Sequence, residues 1–280
     1  MNPLLRLANL DRLPITIRVH AKAASGPTGS LAALERILRF LPTMSSESLQ
    51  NLIPLLYNIL DPDYADLSTF FEAPKPNYTL VHRAALALEI MYQNPIVNSA
   101  IEAAPDIWER VWPWVHFLYQ FRDMLGSNLP AAPFISAVLV GAMARLTEHS
   151  RELREKIMET PGALAVVAGC WPHILQIENP TERMLPCVMV AVFIKDERIT
   201  RQPYLNDIVH ATGGSVWHFS QVVMKQIQVL DLPQNSADEK TIRQFTIMAH
   251  LSSYFDRDAP SDNSPPLSLY TQALLKHGFS

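Results

Sequence analysis

The sequence predicts an all-α chain, an irregular array of helical repeats or α-solenoid. Three observations carry that reading. Apolar residues recur three and four apart in almost every stretch between prolines and glycines, the spacing of one helix face. Glycine is scarce, at 9, and proline frequent, at 22 of 280 residues, which suits short, punctuated helices. Around Gly162 and Gly214, 52 residues apart, the flanking helices fall into register. The 48% hydrophobic content is enough for a sizeable core, and 18% charged residues are too few for a disordered chain.

Leu4, Leu7 and Leu10 mark a small amphipathic helix, and Pro14 opens another that runs to about Ala24. Ser25 to Ser30 reads as a turn with Ser30 as helix cap. It lacks the Lys-Ser/Thr ending of a phosphate loop. Leu31, Leu34, Leu38 and Leu41 form one stripe, and Leu49, Leu52, Ile53, Leu56 and Leu60 the next. With Pro42 between them, these two helices are expected to form an antiparallel hairpin. Asp61 to Asn77 is the longest irregular segment, exposed and placed to cover a groove. Asp61, Asp63 and Asp66 have the spacing that opens a calcium loop, but the glycine and closing glutamate are missing, so turn and cap roles are expected.

Leu80, Ala84, Ala87, Leu88 and Met91 give a helix whose alanines allow close approach, ended by Asn94-Pro95. Ile107 to Phe121 holds three of the five tryptophans. Its apolar residues at 107, 111, 115 and 118, and again at 108, 112 and 119, predict burial on more than one face. This is the expected central helix, kinked where Pro113 removes a backbone bond and crowds the Glu109 carbonyl. Phe134, Val138 and Leu146, with Ile135 and Ala142, predict a further buried helix. Gly126 to Ala144 and Thr160 to Ile177 lack charged residues, but polar and proline interruptions leave them too short to cross a membrane.

At the 52-residue offset Leu153 meets Leu205, Ile157 meets Val209, Leu164 meets Val216, Val167 meets Phe219, Trp171 meets Val223 and Leu175 meets Ile227. Each unit is then a short helix, a glycine corner and a longer helix, the corner wanting a residue at positive φ. Between them Asn179-Pro180, with Glu182, opens a helix from Thr181 to Ile194 as N-cap, first-position proline and capping-box acid. Ser236 to Glu239 is a second capping box, opening a helix with Ile242, Phe245, Met248 and Ala249 inward. Three helices per unit with a glycine corner are the plan of armadillo-type repeats. The expected organisation is one domain over 1–280, with sub-blocks 1–60, 78–147 around the tryptophan helix, and 148–280. The last repeat, reaching a third corner at Gly278, reads as incomplete, as in a truncated or split product.

The run Trp108-Glu-Arg-Val-Trp-Pro-Trp-Val-His-Phe-Leu, with Thr160-Pro-Gly162 and Ala211-Thr-Gly-Gly214, resembles the armadillo-like helical region of basidiomycete-type fungal MYND-finger proteins. The finger itself is absent: it needs a cluster of cysteines and a histidine around two zinc ions, and only Cys170 and Cys187 are present. No zinc ligand carries over. The resemblance implies a non-enzymatic interaction scaffold, detached from its finger.

The sequence holds no chemistry of its own. Its nine histidines form no His-Glu-x-x-His pair, and there is no Gly-x-Ser-x-Gly or Gly-x-Gly-x-x-Gly signature and no Asp-Asp-x-x-Asp run. No catalytic residue, metal ligand or cofactor is expected. His116 is expected as a hydrogen-bonded core or edge residue, Arg151 to Lys156 as a solvated charged face, and the cysteines as buried free thiols. The absence of a leader-like apolar centre in residues 1–24 leads us to treat the Asn77-Tyr78-Thr79 sequon as chance and to expect an intracellular, cytoplasmic or nuclear, protein. A net charge of −4 weighs against nucleic acid and anionic membranes as partners.

The one candidate surface is a polar stripe. His218, Gln221, Lys225 and Gln228 share a face opposite Val216, Phe219, Val223 and Ile227, and His173 and Gln176 hold the same line one repeat earlier. Such a line in a groove can bind a partner's extended backbone. The alternative is a helical enzyme with an unrecognised pocket, followed by a nucleic-acid-binding helical repeat. The oligomeric state is left open.

Overall fold

The computed structural model describes residues 5–64, 66–94, 104, 106–126, 130–147, 150–194, 208 and 210–229; at 191–194, 216, 217, 220, 224 and 227–229 it describes the backbone alone. Every regular element among the described residues is helical. The chain divides into two compact units, Met1–Thr160 and Pro161–Ser280.

The first unit opens with a 3₁₀ segment, Leu7–Arg12, where the leucines predict a short helix. Then come α1 (Ile15–Ala24), α2 (Leu31–Phe40), α3 (Ser46–Asn51), α4 (Ile53–Ile59), α5 (Tyr78–Gln93), α6 (Ile107–Leu125), α7 (Ala132–Thr147) and α8 (Arg151–Glu159). Side-chain oxygens start several of them: Ser30 accepts from the Ala33 N–H, Ser45 from Ser48, Asn77 from Leu80 and Ser150 from Leu153. Each meets a backbone donor that the first turn leaves free. Asn77, first residue of the sequon, is thus the cap of α5.

The hairpin forms one helix earlier than expected. α2 packs chiefly on α1 and α5, while α3 and α4 pack on each other and α4 on α5. The buried face of α2 is Ala33, Leu34 and Ile37 with Leu41 beyond it, so Leu31 and Leu38 lie at its edges. The second stripe divides between α3 and α4 at Leu52, where Pro54 has no N–H and its ring crowds the Gln50 carbonyl. All five of its residues are buried.

α5, not the tryptophan helix, is the hub. It packs against α2, α4, α6 and α7, and is buried on most of its circumference. Ala84, Ala85 and Ala87 present almost no side-chain bulk, which lets neighbouring backbones come close. α6 flanks it, resting on α5, α7 and α8. Pro113 lies inside α6, and the helix continues through it. Trp108 and Trp114 are buried, Trp112 only partly. In α7, Ile135, Val138, Ala142 and Leu146 are buried as expected, but Phe134 is exposed.

The 61–77 segment holds 3₁₀ turns at Pro62–Tyr64 and Phe70–Glu72. It lies against α6 through aromatic rings: Phe70 meets Phe117 edge-on at 5.2 Å, and Phe71 meets Phe121 at 4.9 Å. Its aspartates are turn formers. Asp61 accepts from the Asp63 N–H, and Asp66 from the Ser68 N–H and hydroxyl.

In unit 1 the long-range side-chain bonds have a common span. Arg83 donates to Ala24, Gly26 and Pro27, residues 56 to 59 positions earlier; Asn94 donates to Leu49, 45 away; Arg145 donates to Tyr92, 53 away; Trp108 donates to Thr160, 52 away. The Gly26–Asn58 bond, at 32, is a shorter exception.

The second unit holds α9 (Ala163–Ile174), α10 (Pro180–Arg183), α11 (Leu185–Ile194) and α12 (Val216–Val229). Gly162 and Gly214, the two corners, sit at φ +84° and +82°, where a side chain would be strained. Asn179 caps α10 as expected. The helix expected over 181–194 is broken at Met184, because Pro186 does there what Pro54 does in unit 1. α9 packs on α11. Two of the paired positions are buried in both copies: Val167 with Phe219, and Trp171 with Val223. Leu205, Val209, the Ser236 capping box, the helix expected after it and the Gly278 corner lie outside the described residues.

Candidate functional site

The stripe on α12 starts at its cap. The Ser215 hydroxyl accepts from the His218 N–H at 3.3 Å and lies 2.8 Å from His218 Nδ1, so the exposed His218 ring is folded back on the start of its own helix. Gln221, one turn on, is half-buried, and Lys225 is exposed. The Gln228 side chain lies outside the described residues. In α9, His173 is half-buried in the last turn. Gln176 is exposed just past the helix end and donates to the Pro172 carbonyl at 3.4 Å. His218, Gln221 and Lys225 therefore follow one line along α12, and Gln176 belongs to a helix terminus.

Sequence reasoning missed Gln226. It is fully buried next to the exposed Lys225, accepts from Trp171 Nε1 at 2.8 Å and turns its amide toward Met184 Sδ at 3.5 Å. Trp171 also meets Phe219 edge-on at 6.0 Å. The indole N–H has no water at that depth, and an amide oxygen at this one position satisfies it. The polar line visible in the sequence thus flanks a buried polar tie that ranks among the interior contacts of unit 2.

Unit 1 contains a dense polar cluster around Tyr57, Asp61, Asp106 and Arg110. The Tyr57 hydroxyl donates to both Asp106 carboxylate oxygens, at 2.7 and 2.5 Å. The Arg110 guanidinium lies 3.9 Å from the Tyr57 ring centroid, pairs with Asp61 at 2.9 Å and with Asp106 at 3.4 Å, and donates to the Tyr57 carbonyl. Burial, then the Asp106 bond, raises the Tyr57 phenol above its ordinary value. A phenol held protonated is the reverse of an activated base or nucleophile. The cluster's chemistry is that of a staple: charges matched, donors used, α4 tied to the start of α6.

Two further groups have unusual surroundings. Glu89 on α5 is 7% exposed, accepts from Gln93 at 3.0 Å, and burial pushes its carboxyl up to about 7. On α6, Trp108, Trp112 and His116 form a ladder of rings 5.3 Å apart, running from buried to exposed. His116 is thus an edge residue stacked on Trp112. On α8, Arg151 pairs with Glu155 at 2.9 Å, Lys156 pairs with Glu109, and Arg154 turns back to the Thr147 carbonyl, so this charged face is bonded as well as solvated.

Among the described residues no group of histidine, cysteine and carboxylate side chains could hold a metal ion. Cys170 and Cys187 are buried free thiols, and burial raises the Cys187 thiol far above its ordinary value, which makes it inert. No described helix is long and apolar enough to cross a membrane. Compared with protein families, curated proteins and solved structures, the chain shows no match.

Proposed function

We propose that this chain is an irregular armadillo-type α-solenoid that acts as a non-enzymatic scaffold, binding another protein inside the cell. One observation supports the array above others. The long-range bonds of unit 1 join residues mostly 45 to 59 apart, and in unit 2 Trp171 reaches Gln226, 55 away. These spans bracket the 52-residue offset of the two glycine corners. In a solenoid each repeat touches the next, so contacts cluster at one repeat length instead of spreading over all separations. The helices α2, α5 and α7, joined in turn, are consistent with the same plan.

The partner-binding line of this reading is His173, Gln176, His218, Gln221, Lys225 and Gln228, with the exposed Lys225 as its charged member. The relation to fungal MYND-finger proteins belongs to the same proposal and rests on the tryptophan run and the corners. The test is affinity capture followed by a binding measurement with the recovered partner. Replacing Gln221, Lys225 and Gln228 together by alanine should leave the circular dichroism spectrum and Tm unchanged and weaken binding at least tenfold. Undiminished affinity would remove the stripe from the account.

A further inference from the structure

The first hairpin differs from the rest of unit 1 in charge and in what its outer side exposes. Arg6, Arg12, Arg18, Lys22, Arg36 and Arg39 against Asp11 and Glu35 give the first 45 residues a net +4, inside a chain of −4. α1 packs mainly on α2 and the preceding 3₁₀ segment. Its other side carries Ile15 at 71% exposure and Val19 at 60%, one turn apart. Phe40 of α2, 36% exposed, stacks on His20 at 6.3 Å, which marks the seam between the two helices. The 3₁₀ segment and α2 also expose Arg12, Arg36 and Arg39, and none of the ion pairs formed by the described residues uses them.

The outer side of α1 has two β-branched residues at i and i+4, Ile15 and Val19, beside the His20–Phe40 seam. Ridges at i and i+4 are what a further helix packs on. The unpaired arginines set the sign of whatever flanks that helix, because carboxylates opposite guanidiniums gain paired, directional hydrogen bonds and lysines opposite them would repel. We infer that the outer face of the α1–α2 hairpin docks an amphipathic helix of a partner protein, apolar along one stripe and acidic along its edges. Nothing in it depends on the α12 stripe.

The probe is a synthetic helical peptide of about three heptads, with leucine along one stripe and glutamate at its borders. A second peptide has the same leucines and lysine borders. Fluorescence anisotropy on the full chain should show saturable binding of the acidic peptide that weakens as salt rises, with at least tenfold weaker binding of the basic one. Ile15→Ser with Val19→Ser should reduce affinity tenfold or more while Tm stays within a few degrees, since both side chains are already in water. Arg36→Gln with Arg39→Gln should weaken binding and flatten its salt dependence. The proposal is overturned if the acidic peptide does not bind saturably, if both peptides bind alike, or if the serine variant binds as the parent does. It is equally overturned if the face instead takes up anionic phosphatidylserine vesicles with serine-variant sensitivity, or if those two serines abolish a self-association seen by sedimentation.

Discussion

α5 and α6 lie side by side and are built on opposite principles. α6 carries three tryptophans and is the most conspicuous stretch of the sequence, yet one tryptophan and His116 face partly outward. α5 has alanines at its centre and is the helix on which α2, α4, α6 and α7 converge. The difference teaches that bulk marks where surface is covered, while smallness marks where backbones meet. A hub needs close approach on several sides, and large side chains prevent it. α5 also encloses two ionisable residues, Arg83 and Glu89, which a plain core helix would not carry.

The sharpest way to test that contrast is within α6 itself. Trp114 is fully buried, so Trp114→Ala should cost about 3–5 kcal/mol. Trp112 is half open and stacked on Trp108 and His116, and Trp112→Ala should cost about 1 kcal/mol. Urea unfolding of both measures the difference, and equal losses would contradict the assigned burial. In α5, Arg83→Met should cost about 3 kcal/mol, because it removes the guanidinium donor from the Ala24 and Pro27 carbonyls and leaves Gly26 only the Gly29 N–H.

Glu89 gives the smaller effect, and one with a pH signature. Its carboxyl goes from an ordinary 4.5 in the unfolded chain to about 7 in the fold, so between those values the folded state holds the proton more tightly. Stability should therefore fall as pH rises from about 4.5 to about 7, by at most about 3 kcal/mol, and stay level above. Glu89→Gln should remove this slope and leave the protein more stable than the parent at pH 8 by about 2 kcal/mol. A parent whose Glu89-dependent stability rises across that window would contradict the burial of a neutral carboxyl.

Helix class and most helix positions were legible because periodicity, caps and prolines are local. Ser30, Asn77 and Asn179 sit where caps belong, and Gly162 and Gly214 take the same positive φ at the two corners. Pro54 and Pro186 were visible but their effect was underrated, each dividing what periodicity joins. Trp114 was missed although 107, 111, 114, 115 and 118 form one helical face; dividing the apolar residues into two other stripes hid it. Arg83 carried a signal, a guanidinium set among apolar residues, but its partners are backbone carbonyls, which have no residue identity to read. Gln226 was hidden by Lys225, because neighbours in sequence point about 100° apart on a helix. Whole-chain charge likewise concealed the basic first hairpin.

In the proposed array each helix pair depends on its neighbours and not on one shared core. Hydrogen exchange read by mass spectrometry on Arg83→Met tests it most directly, since the substitution cuts the tie between α5 and the α1–α2 turn. The account predicts that peptides from α1, α2 and the start of α5 lose protection while those from α6, α7 and α8 keep it. Loss of protection spread evenly across α1 to α8 would contradict it.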